Sequence, residues 1–382
     1  MNNKRICHFT TVHKRTDVRI FYKQCMSLVK AGFDVHLVVS DGKGDDIKNG
    51  IKIHDIGKMK NRLTRMLFGP VKMFFLLRNL NCRVYQFHDP ELLPMAFYLK
   101  KVTQTKVIYD SHECYSDYFM HKDYLPKMIR PFCSKAIKVL EKFVGKYLDW
   151  VIVTTTYHAE SLKGINKHID IVYNYPLLSE WNEDNSADNR DNSAICYIGN
   201  IIEERGMTQL IKAIEPLDCV LHLAGGYEPQ AFRDELMKLA GWKKVIEYGY
   251  VDRKKATDIV SNSLVGVILF QPKPIHYTSL STKAFEYMAG GTACIVPDFP
   301  IWQDIVAKNN CGICVDPTDV EQISKQLRYL MDNPNQAKQM GKNGKQMIQK
   351  QYNWELQETI LLDIYQQLTN DNTSDMFEFS VV

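Results

Sequence analysis

"STKAFEYMAGGTACIVPD", from Ser281 to Asp298, decides the fold. An amphipathic helical segment runs into Gly290 and Gly291, and the β-rich run "ACIVPD" follows at once. The glycines end the helix, and a strand begins without a long loop. That is the helix-to-strand half of a βαβ unit. The helix also carries Lys283 and Glu286, and a helix built only for packing has little use for that carboxylate.

The alternation extends in both directions. Upstream, "AICYIG", "GMTQLIKAI", "CVLHLAGG", "AFRDELMKLAG", "KVIEYGYV", "KATDIVSNS" and "VGVILF" form one series of strands and helices. A second series opens the chain: "RICHFTTV", "DVHLVV", "IKIHDI", "RVYQFH", "KVIYDS" and "DWVIVTT" are strands with helices between most of them. The helix "DVRIFYKQCMSLVKAGF" is capped by Asp17 and ends at Gly32. Strands alternating with helices imply parallel sheets covered on both faces. Between the two series, "LLSEWNEDNSADNRDNS" (177–193) is polar and poor in apolar residues, which predicts a linker. The expected organisation is an α/β chain of two doubly wound, Rossmann-like domains, 1–176 and 194–351, facing a central cleft at the carboxyl ends of their sheets. Helical patterns continue to Leu368, and the polar, acidic tail 369–382 is expected to fray.

A chain of 382 residues suits two such cores. Its net charge of +4 is too mild to imply a nucleic-acid partner. The distribution of charge says more. From Ile56 to His88 there is no acidic residue, and Lys and Arg interleave with Leu63, Met66, Leu67, Phe68 and Phe75. A second basic run spans Lys127 to Lys146. Two solvated amphipathic helices would explain this, as would a surface that rests on anionic lipid headgroups. The apolar run "MFFLL" is far below the roughly 20 residues that span a bilayer. The N-terminal stretch does not have the pattern of a signal peptide. The expected location is cytoplasmic, with peripheral contact on the inner membrane face. The ten cysteines are then expected as reduced thiols. Cys311 and Cys314 lack a second pair with which to build a metal site.

The chemistry-bearing residues gather at strand ends. Thr278, Ser279, Leu280, Ser281 and Thr282 precede the decisive helix. Ser281 or Thr282 suits its N-cap, and free backbone N–H groups there form an anion site. Glu286, about one turn inside, reaches a ribose diol bound beside a phosphate, or else it is a surface glutamate paired with Lys283. In "GNIIEERGM", Gly199 gives the turn, and Arg205 suits a diphosphate unless it pairs with Glu203 or Glu204. His88 and Asp89 in "FHDPELLP" and His112 in "YDSHE" end strands of the first domain, where structural histidines are also common. His13, Asp17 and Arg19 lie at the mouth of the same sheet, where a substrate would pass. No D-x-D occurs, so a diphosphate must be neutralised by helix dipoles and cations. The absence of G-x-G-x-x-G on the first helix and of G-x-S-x-G argues against dehydrogenases and nucleophile-elbow hydrolases.

Together "TKAFEYMAGGTACIVPD", "YIGNIIEERGMTQLIKAI", "YDSHE", "HDPELLP" and "VYNYP" resemble a family-4 glycosyltransferase of the GT-B fold, closest to members that build bacterial surface polysaccharides. The resemblance runs to about Gln367. It implies a retaining transfer from a nucleoside diphosphate sugar to a glycan or lipid-linked acceptor, with no metal or other cofactor required. It assigns the donor to the second domain and the acceptor to the first. It also implies a final helix, 352–368, that crosses back to the first domain. By position, Glu286 matches the second glutamate of the E-x7-E motif, which holds the donor ribose. Arg205 takes the place of a basic residue at the diphosphate, and His112 that of a histidine beside the transferred sugar. Residues 278–282 would meet the phosphates and sugar through backbone amides, and Tyr250 and Val251 fall where the base is held. His13, Asp17, Arg19, His88 and Asp89 are expected on the acceptor side. Two positions depart from the pattern. Thr278 stands at the first glutamate and Asn200 at the usual arginine, which makes Lys283 the compensating cation.

Two rival functions use the same residues. A sugar-nucleotide-holding subunit of another transferase is suggested by Thr278 and Asn200. A GT-B sugar-nucleotide epimerase would need more proton-moving groups, and Glu113 is the adjacent candidate.

Overall fold

The structure is a computed structural model and describes residues 4–103, 105–120, 125–181 and 190–370. The chain divides into two compact units, Met1–Asn174 with Gln357–Val382, and Tyr175–Leu356.

The first unit is built on strands β1 (Arg5–Phe9), β2 (Asp34–Val39), β3 (Asp46–Lys48), β4 (Ile51–Asp55), β5 (Val84–Phe87), β6 (Lys106–Ser111), β7 (Trp150–Val153) and β8 (Ile169–Ile171). Their order is β3-β4-β2-β1-β5-β6-β7-β8, and only β3 runs antiparallel to its neighbour. β5, β6 and β7 are almost wholly buried, polar residues included, because helices cover both faces of the sheet. Asp17 caps the first helix as expected, accepting from the amides of Arg19 and Ile20.

The second unit holds β9 (Asp191–Ile198), β10 (Val220–Ala224), β11 (Val245–Gly249), β12 (Ser263–Val267), β13 (Ala293–Pro297) and β14 (Gly312–Val315). They are all parallel, in the order β11-β10-β9-β12-β13-β14. Strand order reverses between β1 and β5 in one sheet and between β9 and β12 in the other. The crevice at such a reversal is where open α/β sheets bind ligands.

Two expected boundaries need correction. The polar stretch 177–193 is structured at both ends, while residues 182–189 lie outside the described residues. Trp181 is buried, Glu180 pairs with Arg253, and 191–193 open β9. Arg190 is also buried and donates to the carbonyls of Ser263 and Gly290 and to Thr292 Oγ1. A guanidinium that donates from both terminal nitrogens, with Nε left without a partner, pulls a polar chain onto a core, which composition alone cannot show. The last helix, Trp354–Thr369, joins the first unit from Gln357 onward. Its buried Tyr365 donates to Gln86 Oε1 at 2.7 Å and lies 2.9 Å from His8 Nε2. The tail beyond Asn370 lies outside the described residues.

Candidate functional site

In the second unit, the carboxyl end of β9 gathers the cations. Gly199 has φ 141°, and a Cβ there would stand 1.9 Å from Lys283 Cε, 2.7 Å from its Nζ and 3.2 Å from Arg205 Nη1. Only glycine leaves room for the two side chains to converge over the turn. Arg205 leans on Tyr197 Oη and the Asn200 carbonyl at 3.5 Å, with Phe270 beneath its guanidinium. Among the described residues no carboxylate pairs with it, and Glu204 pairs with Lys273 instead. The alternative in which Glu203 or Glu204 neutralises Arg205 is therefore set aside. Lys283 is partly buried. Burial, with Arg205 next, pulls its pKa down to about 7, against the opposing pull of Glu286. Among the described residues no carboxylate pairs with either of these two basic side chains, an arrangement that favours an anion.

The helix Thr282–Ala289 points its start at the same place. Ser281 is the extended N-cap residue, yet its hydroxyl makes no capping bond and is buried without a partner. The side-chain cap expected at Ser281 is thus not made. The helix's first amides lack intrahelical acceptors, as at any helix start. Ser279 Oγ donates to the Ile275 carbonyl, so its side chain is committed to the loop. Thr278 ends the short helix Pro274–Tyr277, and Leu280 and Thr282 are half-buried beside it. Glu286 does not pair with Lys283. It accepts at Oε1 from Arg253 Nη1, at 2.7 Å. Tyr250 and Val251 follow β11, and the tip of Tyr250 lies against Gly226, where a Cβ would meet its hydroxyl at 2.3 Å.

In the first unit, the carboxyl ends of β1, β5 and β6 meet around Asp110, which is fully buried. Asp110 accepts from Arg19 Nε at 3.1 Å and Nη2 at 2.7 Å, and from Gln24 Nε2 at 2.7 Å. His88 Nδ1 and His112 Nε2 face its Oδ2 at 3.1 and 3.2 Å, and each other at 3.1 Å. Burial would raise the Asp110 pKa, but Arg19 and His112 hold it well below the usual carboxylate range. Hydrogen bonds continue from Gln24 to Gln86, Tyr365, His8 and back to His88, closing a ring. In the tautomer that donates to this carboxylate, His112 Nε2 carries the hydrogen. Burial lowers the His112 pKa to about 4 against the pull of Asp110, so the ring is neutral near pH 7. Its Nδ1 is then a lone-pair acceptor. His88, Asp110 and His112 offer three metal-type ligand atoms within 4.8 Å of one another. The Asp110 oxygen already receives Arg19 and Gln24, so the cluster is satisfied as a hydrogen-bond network.

Three residues expected at the acceptor belong to the interior. Arg19 is the buried counterion of Asp110, and His88 is a link of the ring. Asp89 is also buried and accepts from Thr10 Oγ1 and the amides of Thr11 and Val12, fixing the loop after β1. Each hydrogen-bonds across strands, and a local motif does not reveal where a strand-end polar group turns. His13 and Asp17 stay partly accessible, 3.5 Å apart, and the His13 ring lies 4.8 Å from that of His112. Burial opposes protonation of His13, but Asp17, Asp89 and Asp110 outweigh it and raise its pKa. Sequence reasoning missed Arg253, His8 and Tyr365. "YVDRKK" does place Arg253 beside the expected base-holding pair, but nothing local connects it to Glu286.

Residues 18–175 match the family model described as Glycosyltransferase Family 4, and residues 180–347 the one described as Glycosyl transferases group 1. An uncharacterised glycosyltransferase of Methanocaldococcus jannaschii is 24% identical over 247 residues, 62% of this chain and 58% of that relative. The chain thus spans little more than half of that curated relative. Sucrose-phosphate synthase from Thermosynechococcus elongatus superposes with TM-score 0.76 at 16% identity, covering 96% of this chain and 99% of that one. The Anabaena HepE protein in complex with UDP-glucose gives 0.71 at 9% identity, over 95% and 99%. At these identities the structural likeness shows the fold.

Proposed function

The chain belongs to the family-4 glycosyltransferases of the GT-B fold, and from that premise we propose that it moves a sugar from a nucleoside diphosphate sugar to a glycan or lipid-linked acceptor in surface polysaccharide synthesis, with retention at the anomeric carbon. The convergence of Lys283 and Arg205 over Gly199, beside an uncapped helix start, carries this reading. As the anomeric C–O bond breaks, negative charge grows on the departing diphosphate. The two cations and the amides at Ser281–Lys283 stabilise it, in the role a metal plays elsewhere. Lys283 supplies the charge that Asn200 does not, so that departure from the motif does not require a protein that only holds its ligand. Glu286 accepts from the ribose diol, and Tyr250 and Val251 border the base. From the first unit, His112 offers Nδ1 to a sugar hydroxyl, and His13 with Asp17 meets the acceptor. The leaving phosphate oxygen takes the proton of the acceptor hydroxyl.

A panel of nucleoside diphosphate sugars, assayed for transfer or slow hydrolysis, tests this. Glu286→Ala should lower turnover of the preferred donor at least about tenfold, the loss of a hydrogen bond to a charged group. Donor binding without turnover, even with acceptor present, would favour a donor-holding subunit.

The basic surface fits a lipid-linked acceptor. Three neighbouring helices, Arg62–Leu80, Leu93–Thr103 and Arg130–Gly145, carry one carboxylate among them, Glu141, which is buried against Tyr109. Phe74–Tyr98 and Phe97–Phe143 ring contacts link them. Leu67, Phe68, Phe75, Phe132, Val139 and Phe143 are all at least half exposed among Lys and Arg. No described helix is long and apolar enough to cross a membrane. Apolar side chains set in a field of cations fit an anionic bilayer surface. Sedimentation with phosphatidylglycerol vesicles should carry the protein down at low salt and release much of it at high salt. Its absence from anionic vesicles at low salt would remove this part of the reading.

A further inference from the structure

We propose that Arg253 is a positioning residue that sets Glu286 for the ribose diol and keeps it away from Lys283; this rests on the reading of Glu286 as the ribose contact. Arg253 is the first residue of the helix Arg253–Asn262, whose start is fixed by the Asp252 cap on the Lys255 amide at 2.8 Å. Its guanidinium grips Glu180 with Nε and Nη2 and gives Nη1 to Glu286 Oε1 at 2.7 Å. The planar fork therefore has two edges in use, one on each carboxylate, and cannot rotate without breaking an ion pair. The side chains of Arg253, Glu180 and Glu286 are only 31%, 18% and 21% exposed, so water screens the bridge only in part.

This arrangement has two consequences for the ligand site. Glu286 Oε1 is held, while Oε2 receives no hydrogen bond from any described residue. One fixed and one open oxygen suit a diol donor. Lys283 lies one turn earlier on the same helix and attracts Glu286. Without Arg253 it is free to draw Glu286 in, at the i, i+3 spacing that favours ion pairs. Such a pair would occupy the open oxygen and neutralise the cation meant for the phosphates. Glu180 in turn keeps the Arg253 charge from overwhelming Glu286, because a single guanidinium is shared between two carboxylates.

The test compares the affinities of UDP, GDP and ADP with those of their 2′,3′-dideoxy forms, by calorimetry on the full chain. Wild-type protein should prefer the ribo form of its nucleotide by about tenfold or more, the worth of a hydrogen bond to a charged group. In Arg253→Gln that preference should fall to within about threefold. Retained affinity for the dideoxy form reports that the fold survives. Arg253→Lys keeps a charge but not the fork, and should also lose most of the preference; it serves if the glutamine variant does not fold. Full discrimination in both variants would overturn the positioning role and leave the ribose reading standing. Discrimination that persists in Glu286→Ala, or a wild type that ignores the diol, would sink the ribose reading and this inference with it.

Discussion

Lys283→Met should lower turnover of the preferred donor by about 10²- to 10³-fold, the range seen when one preorganised donor is removed from a charge-stabilising site. Methionine keeps the length and apolar stem of lysine, so the contact over Gly199 survives and only the charge leaves. Arg205→Ala should cost a similar factor, because the two groups meet the same growing charge. The pair also has a pH signature. Burial and the nearby Arg205 pull the Lys283 pKa down to about 7 in the free protein. A bound diphosphate favours the ammonium form and raises that value. Donor affinity is then flat below about pH 7. Above it, the free protein must first take up a proton, and affinity falls by up to about tenfold per pH unit until the bound-state value is reached. The diphosphate of a nucleotide sugar has no titration of its own between about pH 6 and 8.5, so in calorimetry over that window the part of the slope that is lost in Lys283→Met belongs to Lys283. The slope should vanish in Lys283→Met. In Arg205→Ala the break should move to higher pH, because one source of the depression has gone. Wild-type rates and an unchanged slope in Lys283→Met would refute the phosphate role.

The fold was readable because its signals are local and repeated. Most strand-helix-strand returns are local in sequence, as at "TKAFEYMAGGTACIVPD" and "GMTQLIKAI". The cation site was partly readable for the same reason. Gly199 and Arg205 lie within one β-to-helix turn, and Ser281, Lys283 and Glu286 within one helix start. Their meeting follows once β9 is placed near the decisive helix by the parallel order β9-β12-β13. Other partners were hidden by distance in sequence. Glu286 and Arg253 are 33 residues apart, Arg19 and Asp110 are 91, and His8 and Tyr365 are 357. No periodicity couples such positions. The polar stretch at 177–193 misled for a related reason. Asn and Asp content describes the average solvation of a segment, whereas Arg190 and Trp181 tie its ends to the core one side chain at a time. For the first unit, residue type at strand ends correctly marked a polar centre around β5 and β6. It could not separate His112, which keeps some access to solvent, from His88, which has none.

That buried centre carries the largest expected loss of stability. Arg19→Met should destabilise the first unit by about 3–5 kcal/mol, because it leaves the Asp110 charge buried without its counterion. The structure does not permit an easy escape. Arg19 and Asp110 are 4% and 0% exposed at the side chain, and Arg19 also donates to the Val172 carbonyl at 2.9 Å, which would lose its partner too. Asp17→Ala, which removes the cap of the same helix and the partly accessible pairing with His13, should cost about 1–2 kcal/mol and sets the scale. Urea titration, read on the transition of the first unit, measures both. The pair also fixes an acid limit. The Asp110 pKa is depressed in the folded protein, so its contribution is fully present above the ordinary aspartate value of about 4 and is lost as pH falls below it toward the folded value. In Arg19→Met the largest depressing charge is gone and burial pushes the folded value upward, so the acid loss of stability should shrink or reverse relative to wild type. An apolar replacement of both partners, Arg19→Met with Asp110→Leu, should recover part of the stability, since neither charge then remains buried. It should not recover activity, because His112 Nε2 would have lost the carboxylate that fixes its hydrogen and leaves Nδ1 as an acceptor. Stability that returns together with full turnover would show that the Asp110 network only holds the fold.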